Sequence, residues 1–147
     1  MPRADVTARG FTLVEMLVVL LIVAVLSLWA WPAFHGHWLR VRRADGQLAL
    51  MQLQQHQARW RTDHPVYATV PELGVPATSP QGHYRLTVLQ QGPAGYLLQA
   101  EAQGGQRADS GCAVLQLRLE QAHTSTLSRT VAGTENLEPA NRRCWSR

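Results

Sequence analysis

The chain has 147 residues, a formal net charge of +4 and no lysine, so arginine carries all of its fixed positive charge. The absence of lysine excludes a Walker-type phosphate site and a Schiff-base enzyme. This length allows one small core in addition to the apolar segment near the amino terminus, and no second domain is expected.

An apolar block, residues 11–34, follows a short polar stretch of residues 1–10. As an α-helix the block would rise about 36 Å, which is enough to cross a hydrocarbon core of about 30 Å. Glu15 is its only ionisable side chain, and a carboxylate in hydrocarbon is costly unless a partner compensates it. The block therefore predicts one transmembrane helix in which Glu15 has a partner.

The junction between the two segments reads Arg9-Gly10-Phe11-Thr12-Leu13-Val14-Glu15. With the apolar run that follows, it resembles the leader junction of type IV pilins and their pseudopilin relatives. The resemblance implies that residues 1–10 are a cytoplasmic leader peptide, removed between Gly10 and Phe11 by a prepilin peptidase. It also implies N-methylation of the new Phe11 amine, and assembly through pairing of Glu15 with the Phe11 ammonium of a neighbouring subunit.

The same resemblance implies a location and a set of partners. The subunit would be a single-pass protein of the inner membrane before assembly, and then part of a filament in the periplasm or at the cell surface. Its partners would be other pilin subunits, the prepilin peptidase and the inner membrane, with DNA as an open alternative.

The charges that flank the apolar block favour the opposite orientation. Arg3 and Arg9 precede the block, whereas Arg40, Arg42 and Arg43 follow it, and the larger group would be expected in the cytoplasm. A plain signal-anchor or a cleaved secretory signal is the alternative, although a secretory cleavage site follows the apolar core rather than preceding it. We expect the leader orientation, because the junction is a specific motif and the charge rule is statistical.

Residues 35–64 continue the helical pattern. Pro32, which matches a helix-kinking proline of the pilins, removes a helical hydrogen bond and Gly36 weakens the helix about one turn later, so a bend is expected there. Two apolar faces are predicted, one with Ala44, Leu48, Met51 and Ala58 and the other with Ala49, Leu53 and Trp60. One face can pack on a sheet of the same domain, and the other suits solvent or a neighbouring subunit. The helix should end before Pro65.

Residues 65–147 are predicted to form a globular head. An irregular connection rich in Pro, Gly, Thr and Ser leads from the helix to the sheet, and residues 61–68 resemble the helix exit of PilE-like minor pilins. Alternating patterns predict strands at residues 84–90, 96–103 and 112–119, with a short edge strand near 127–131. The predicted fold class is α+β, with the long amino-terminal helix packed on a small antiparallel β-sheet.

Two cysteines, Cys112 and Cys144, both follow the apolar block. They lie on the oxidising side of the membrane if the leader is cytoplasmic, so one disulfide is expected, conditional on export. Closing that loop should stabilise the fold by about 3 to 4 kcal/mol in the chain-entropy treatment. Zinc is a poor alternative because the two cysteines lack nearby histidines at ligand spacing. The enclosed segment resembles the disulfide-bounded carboxy-terminal region of pilins.

Motifs of catalysis are missing from the sequence. It has no nucleophile elbow, paired carboxylates or phosphate-binding loop, so no enzymatic activity and no cofactor are predicted. His35 and His37 would point about 200° apart on a helix, which argues against a metal site.

A basic cluster lies at the carboxy terminus. Arg142, Arg143 and Arg147 flank Trp145, a combination of charge and aromatic surface that suits a nucleic-acid backbone and a base. The alternative is a solvated basic terminus whose tryptophan packs on the sheet.

The resemblance predicts a minor pilin that supports adhesion, motility or DNA uptake, with a DNA-binding competence pilin or a type II secretion pseudopilin as alternatives.

Overall fold

A computed structural model describes residues 12–146, together with their side chains except those of residues 29–35. Gly10, Phe11, Arg147 and the Pro32 side chain therefore lie outside the described residues. In chain order the elements are α1 (Leu13–Trp60), β1 (Tyr84–Gln91), β2 (Gly95–Ala102), two 3-10 turns (Gly104–Ala108 and Ser110–Cys112), β3 (Val114–Glu120), β4 (His123–Arg129) and α2 (Ala140–Trp145). The predicted α+β class, with an amino-terminal helix, an antiparallel sheet and a disulfide, is confirmed.

The contacts divide the chain into two units between His35 and Gly36. In the first unit, the described side chains of α1 up to Leu28 are all exposed, and Leu13 and Leu28 reach 77% and 75% exposure. No helix within the described residues is long and apolar enough to cross a membrane. The predicted span of residues 11–34 extends beyond the described side chains and stays a prediction. So does the bend near Pro32 and Gly36, where α1 is assigned as continuous helix.

In the second unit, α1 buries one face against the sheet. Ala49, Leu50 and Leu53 are almost fully buried and join the sheet's inward side chains in one apolar cluster. Burying a leucine side chain contributes about 1.5 to 3 kcal/mol. The second face predicted from the sequence is exposed on the subunit; it consists of Ala44, Leu48, Met51 and Ala58.

The four strands form an antiparallel meander in the order β1-β2-β3-β4. Leu86, Ala100, Leu115 and Ser128 pair across it as one row of buried side chains. Two predicted strand starts are wrong by two residues or more. The third strand begins two residues later than predicted, because Cys112 ends a 3-10 turn, and the edge strand begins at residue 123 rather than 127.

The turn that joins β3 to β4 explains the second of these differences. Gln121 and Ala122 both have positive φ, at 48° and 67°. Such turns usually contain Gly, Asn or Asp, so the sequence carries no turn signal here. The chain therefore reverses direction earlier than its composition indicates.

Polar side chains of α1 hold the irregular connection of residues 65–82. The buried Asp45 carboxylate accepts hydrogen bonds from the Ser79 hydroxyl and from the backbone N–H groups of Gln81 and His83. The end of this connection also covers the free edge of β1. There the Ser79 N–H donates to the Tyr84 carbonyl and the Leu86 N–H donates to the Ala77 carbonyl, both at 2.8 Å.

Tyr84 is the largest fully buried side chain of the head, and its ring lies against Gly46 of α1. Its hydroxyl accepts a hydrogen bond from Gln106 Nε2 at 3.1 Å, and the same nitrogen donates to the Leu39 carbonyl at 3.0 Å. Burial raises the pKa of Tyr84 to about 12, so its hydroxyl stays neutral. The helix can approach the sheet this closely because Gly46 has no side chain.

Gly46→Ala is expected to lower the free energy of unfolding by about 1 to 3 kcal/mol, because a Cβ there would lie 2.9 Å from the Tyr84 ring. Urea denaturation of the purified protein measures the change. Gly36→Ala is the matched control: its Cβ would meet no atom within 4 Å, and alanine in a helix is more stable than glycine by about 1 kcal/mol. Equal stability of the two variants would contradict the close contact.

Gln57→Leu is expected to lower the free energy of unfolding by about 2 to 4 kcal/mol, since two buried backbone groups lose their partner. The buried Gln57 amide donates to the Ala68 carbonyl at 2.6 Å and accepts from the Ala68 N–H at 2.9 Å. Gln55→Leu, at an exposed position of the same helix, should change stability by less than about 0.5 kcal/mol. The same urea measurement tests both, and similar losses would refute the role of Gln57.

Candidate functional site

The amino-terminal candidate site is built on the first turn of α1. The Glu15 N–H donates to Thr12 Oγ1 at 3.2 Å, so Thr12 caps the helix. This cap was missed in the sequence predictions, although Thr12 and Glu15 have the Thr-x-x-Glu spacing of a capping box. The Glu15 carboxylate forms no hydrogen bond or ion pair with any residue that the structure describes.

The following turns of α1 are compatible with an apolar environment. The Ser27 hydroxyl donates to the Val23 carbonyl at 2.7 Å within the helix, so its polar group is satisfied internally. Glu15 is then the one ionisable residue among the described side chains of α1 before Gly36. Gly10 and Phe11, the predicted processing residues, are not among the described residues.

The carboxy-terminal candidate site is built on α2, a six-residue helix that the sequence analysis did not predict. The predicted disulfide between Cys112 and Cys144 is present and joins α2 to the turn before β3. Two asparagines attach α2 and the loop before it to β4. Asn141 Nδ2 donates to the Thr126 carbonyl at 2.9 Å, and Asn136 Nδ2 donates to Ser128 Oγ at 3.0 Å.

Side chains of α1 complete the support of α2. Arg43 Nη1 donates to the Arg143 carbonyl at 2.9 Å, and Gln47 Nε2 donates to the Cys144 carbonyl at 3.0 Å. Carbonyls in the last turn of a helix have no partner within it. The two α1 side chains therefore cap α2 and fix the direction in which its arginines project.

Arg43 also forms a nearly buried ion pair. Its guanidinium donates to both carboxylate oxygens of Asp109, at 2.8 and 2.9 Å, and the two side chains are 8% and 12% exposed. Three arginines follow the apolar block in the sequence, and this pair compensates the charge of one of them. The other two, Arg40 and Arg42, are exposed and half-buried.

The structure brings Arg142, Arg143 and Trp145 together on α2, while Arg147 is not described. The Arg142 side chain is 79% exposed and lies 3.5 Å from Glu138, an exposed pair that contributes little to stability. The Trp145 ring is half-buried against the core cluster, and its Nε1 donates to the Leu127 carbonyl at 3.0 Å. Its environment corresponds to the alternative in which the tryptophan packs on the sheet.

A groove of about 760 Å³ separates α1 from α2, and we call it the α1–α2 groove. Its α1 side carries His37, Arg40, Val41 and Ala44, and its other side carries Arg143 and the Cys112–Cys144 disulfide. Arg40 and Arg143 belong to separate basic segments of the sequence. The helical spacing of residues 37, 40, 41 and 44 indicates a common face, but its position opposite α2 depends on tertiary contacts.

Two family models match the chain. Residues 7–31 match the prokaryotic N-terminal methylation motif, and residues 32–116, more than half of the chain, match the type IV minor pilin ComP, DNA uptake sequence receptor. No curated protein matches. Both models describe structural pilin domains rather than enzymes. The prediction of a type IV minor pilin is confirmed, and the chain belongs to the family of type IV minor pilins described as ComP, DNA uptake sequence receptor.

Proposed function

We propose that residues 11–34 hold this minor pilin in the inner membrane until assembly, and that a prepilin peptidase removes the leader there by cleaving between Gly10 and Phe11. Phe11 is then N-methylated, and the subunit joins a type IV pilus that takes up DNA. The observation that carries the assembly step is that the Glu15 carboxylate has no partner among the described residues and lies in the segment of α1 up to Leu28, whose described apolar side chains are all exposed. The match to the methylation motif supports the processing steps.

Assembly would give Glu15 its missing partner. The Phe11 ammonium of a neighbouring subunit at about 4 Å would attract the carboxylate by about 4 kcal/mol at an effective dielectric constant near 20, before desolvation is subtracted. The apolar side chains around Glu15 would exclude water in the filament, so an unpaired Glu15 would be penalised. This penalty favours one axial register between neighbouring subunits.

The second half of α1 offers a further surface for neighbouring subunits. Leu48 and Met51 are each about half exposed, and they lie on the same helix face as Ala44 and Ala58. Apolar patches on a soluble surface commonly mark contacts with other proteins. We assign this face to contacts with neighbouring subunits within the filament.

DNA would bind at α2. The family is described as a DNA uptake sequence receptor, and the α2 helix presents Arg142 and Arg143 at the surface. Arginine contacts to phosphates release counterions, so such binding weakens as salt rises. Since Trp145 is engaged with Leu127 and the core, its proposed part is to hold α2 in place while the arginines contact phosphate. Arg147 extends the same basic segment in the sequence.

Glu15→Ala is expected to reduce incorporation into sheared filaments by at least about tenfold, which corresponds to a loss of about 1.4 kcal/mol. The amount of protein in the membrane fraction should not change, because the substitution leaves the apolar block intact. Immunoblots of both fractions measure the effect. Glu120→Ala removes the same charge from the end of β3 and should assemble normally; a Glu15 variant present in filaments at the wild-type level would refute the pairing.

The double variant Arg142→Gln and Arg143→Gln is expected to bind double-stranded DNA more weakly. If both arginines contact phosphates, the slope of log affinity against log salt concentration should fall by about 2. Electrophoretic mobility shifts over a salt series measure this slope. Arg85→Gln with Arg118→Gln is the control with the same loss of charge on the sheet, and an equal effect of the control would contradict a site on α2.

A further inference from the structure

The α1–α2 groove combines a basic rim with an apolar floor. His37, Arg40 and Arg143 supply the rim, and Val41, Ala44 and the Cys112–Cys144 disulfide supply the apolar surface. None of its described lining residues carries a carboxylate. The groove therefore has the chemistry to hold a ligand that is anionic at one end and apolar at the other.

Two of the three arginines that line the groove have no ion-pair partner among the described residues. Neither Arg40 nor Arg143 forms an ion pair with any carboxylate that the structure describes. Arg40 Nε donates only to the Gly36 carbonyl of its own helix, at 3.3 Å, which leaves its two terminal nitrogens for a ligand. The third arginine of the groove, Arg43, is committed to Asp109.

The groove residue Arg40 also follows the proposed membrane span closely in the sequence. Only six positions separate it from residue 34. Between them lies Trp38, which is 47% exposed and has the Arg42 guanidinium 5.9 Å from its ring centroid. Tryptophan and arginine at such a distance from an apolar span are typical of the bilayer–water interface.

We propose that the α1–α2 groove binds an anionic phospholipid of the outer leaflet of the inner membrane before the subunit is assembled. Arg40 and Arg143 would contact the phosphate, and the upper part of an acyl chain would lie against Val41, Ala44 and the disulfide. This inference rests on the proposed membrane span of residues 11–34. DNA fits the groove less well, because a duplex backbone has no apolar part to cover its floor.

Lipid binding at this place would orient the head of the waiting subunit on the membrane surface. Each arginine close to an anionic bilayer contributes about 1 kcal/mol, which is about fivefold in affinity. The contact would be lost when the subunit leaves the membrane, so it would act on the unassembled pool alone.

The full-length chain in nanodiscs of phosphatidylcholine and phosphatidylglycerol tests the proposal. Native mass spectrometry of the released protein counts the lipids that remain bound. Wild type should retain phosphatidylglycerol above its share of the bilayer, and Arg40→Gln with Arg143→Gln should lower this enrichment by about fivefold per arginine. Both side chains project from the surface of the head, and circular dichroism verifies that the variant is folded.

The control variant Arg85→Gln with Arg118→Gln removes the same charge outside the groove and should keep the enrichment. An equal loss in the control, or no enrichment in wild type, would overturn the lipid site. Loss of DNA binding by the Arg40→Gln single variant, with lipid retention unchanged, would assign the groove to DNA instead.

Alkaline carbonate extraction tests the span separately. Release of the chain from membranes would refute the span and with it the lipid site, whereas an inserted chain without enrichment would refute the lipid site alone.

Discussion

The nearly buried ion pair between Arg43 and Asp109 fixes the arrangement of the carboxy-terminal third of the chain. The two residues are 66 positions apart, and the same guanidinium reaches the Arg143 carbonyl, so one side chain of α1 joins two distant segments. Removing one partner of a buried pair costs about 3 to 5 kcal/mol, because the other charge is left without compensation. The hydrogen bond from Arg43 to Arg143 helps to hold α2 in place, and with it the exposed side chains of Arg142 and Arg143.

Much of the fold could be predicted because it rests on periodic apolar patterns. The alternation along β1 and the helical spacing of Ala49 and Leu53 both follow from packing on a single core. The start of β4 could not be predicted, since the positive-φ turn at Gln121 and Ala122 lacks the residues that signal it. The helix α2 was missed for another reason: six residues are too few to form a stable helix alone, and tertiary contacts with α1 and β4 hold it in place.

The candidate sites also differ in whether a local sequence pattern or a tertiary contact defines them. The leader junction and Glu15 lie within a few consecutive residues, so the sequence is sufficient to identify them. The Thr12 cap is equally local, since the Thr-x-x-Glu spacing of Thr12 and Glu15 is enough to predict it. Arg40 and Arg143 line the same groove although they are about a hundred positions apart in the sequence, and no local pattern encodes this proximity. Trp145 is the opposite case. In the sequence it stands among arginines that suggest nucleic-acid binding, but in the structure its ring packs against the core.

Both outer strands of the sheet are partly covered by the chain itself. Residues 77–79 hydrogen-bond to the outer side of β1, and Asn136, Asn141 and Trp145 bond to the backbone of β4 or to its side chains. Exposed strand edges otherwise promote edge-to-edge aggregation. A strand of a second molecule cannot add to the sheet at these covered positions, so the fusion of two heads into one continuous sheet is disfavoured.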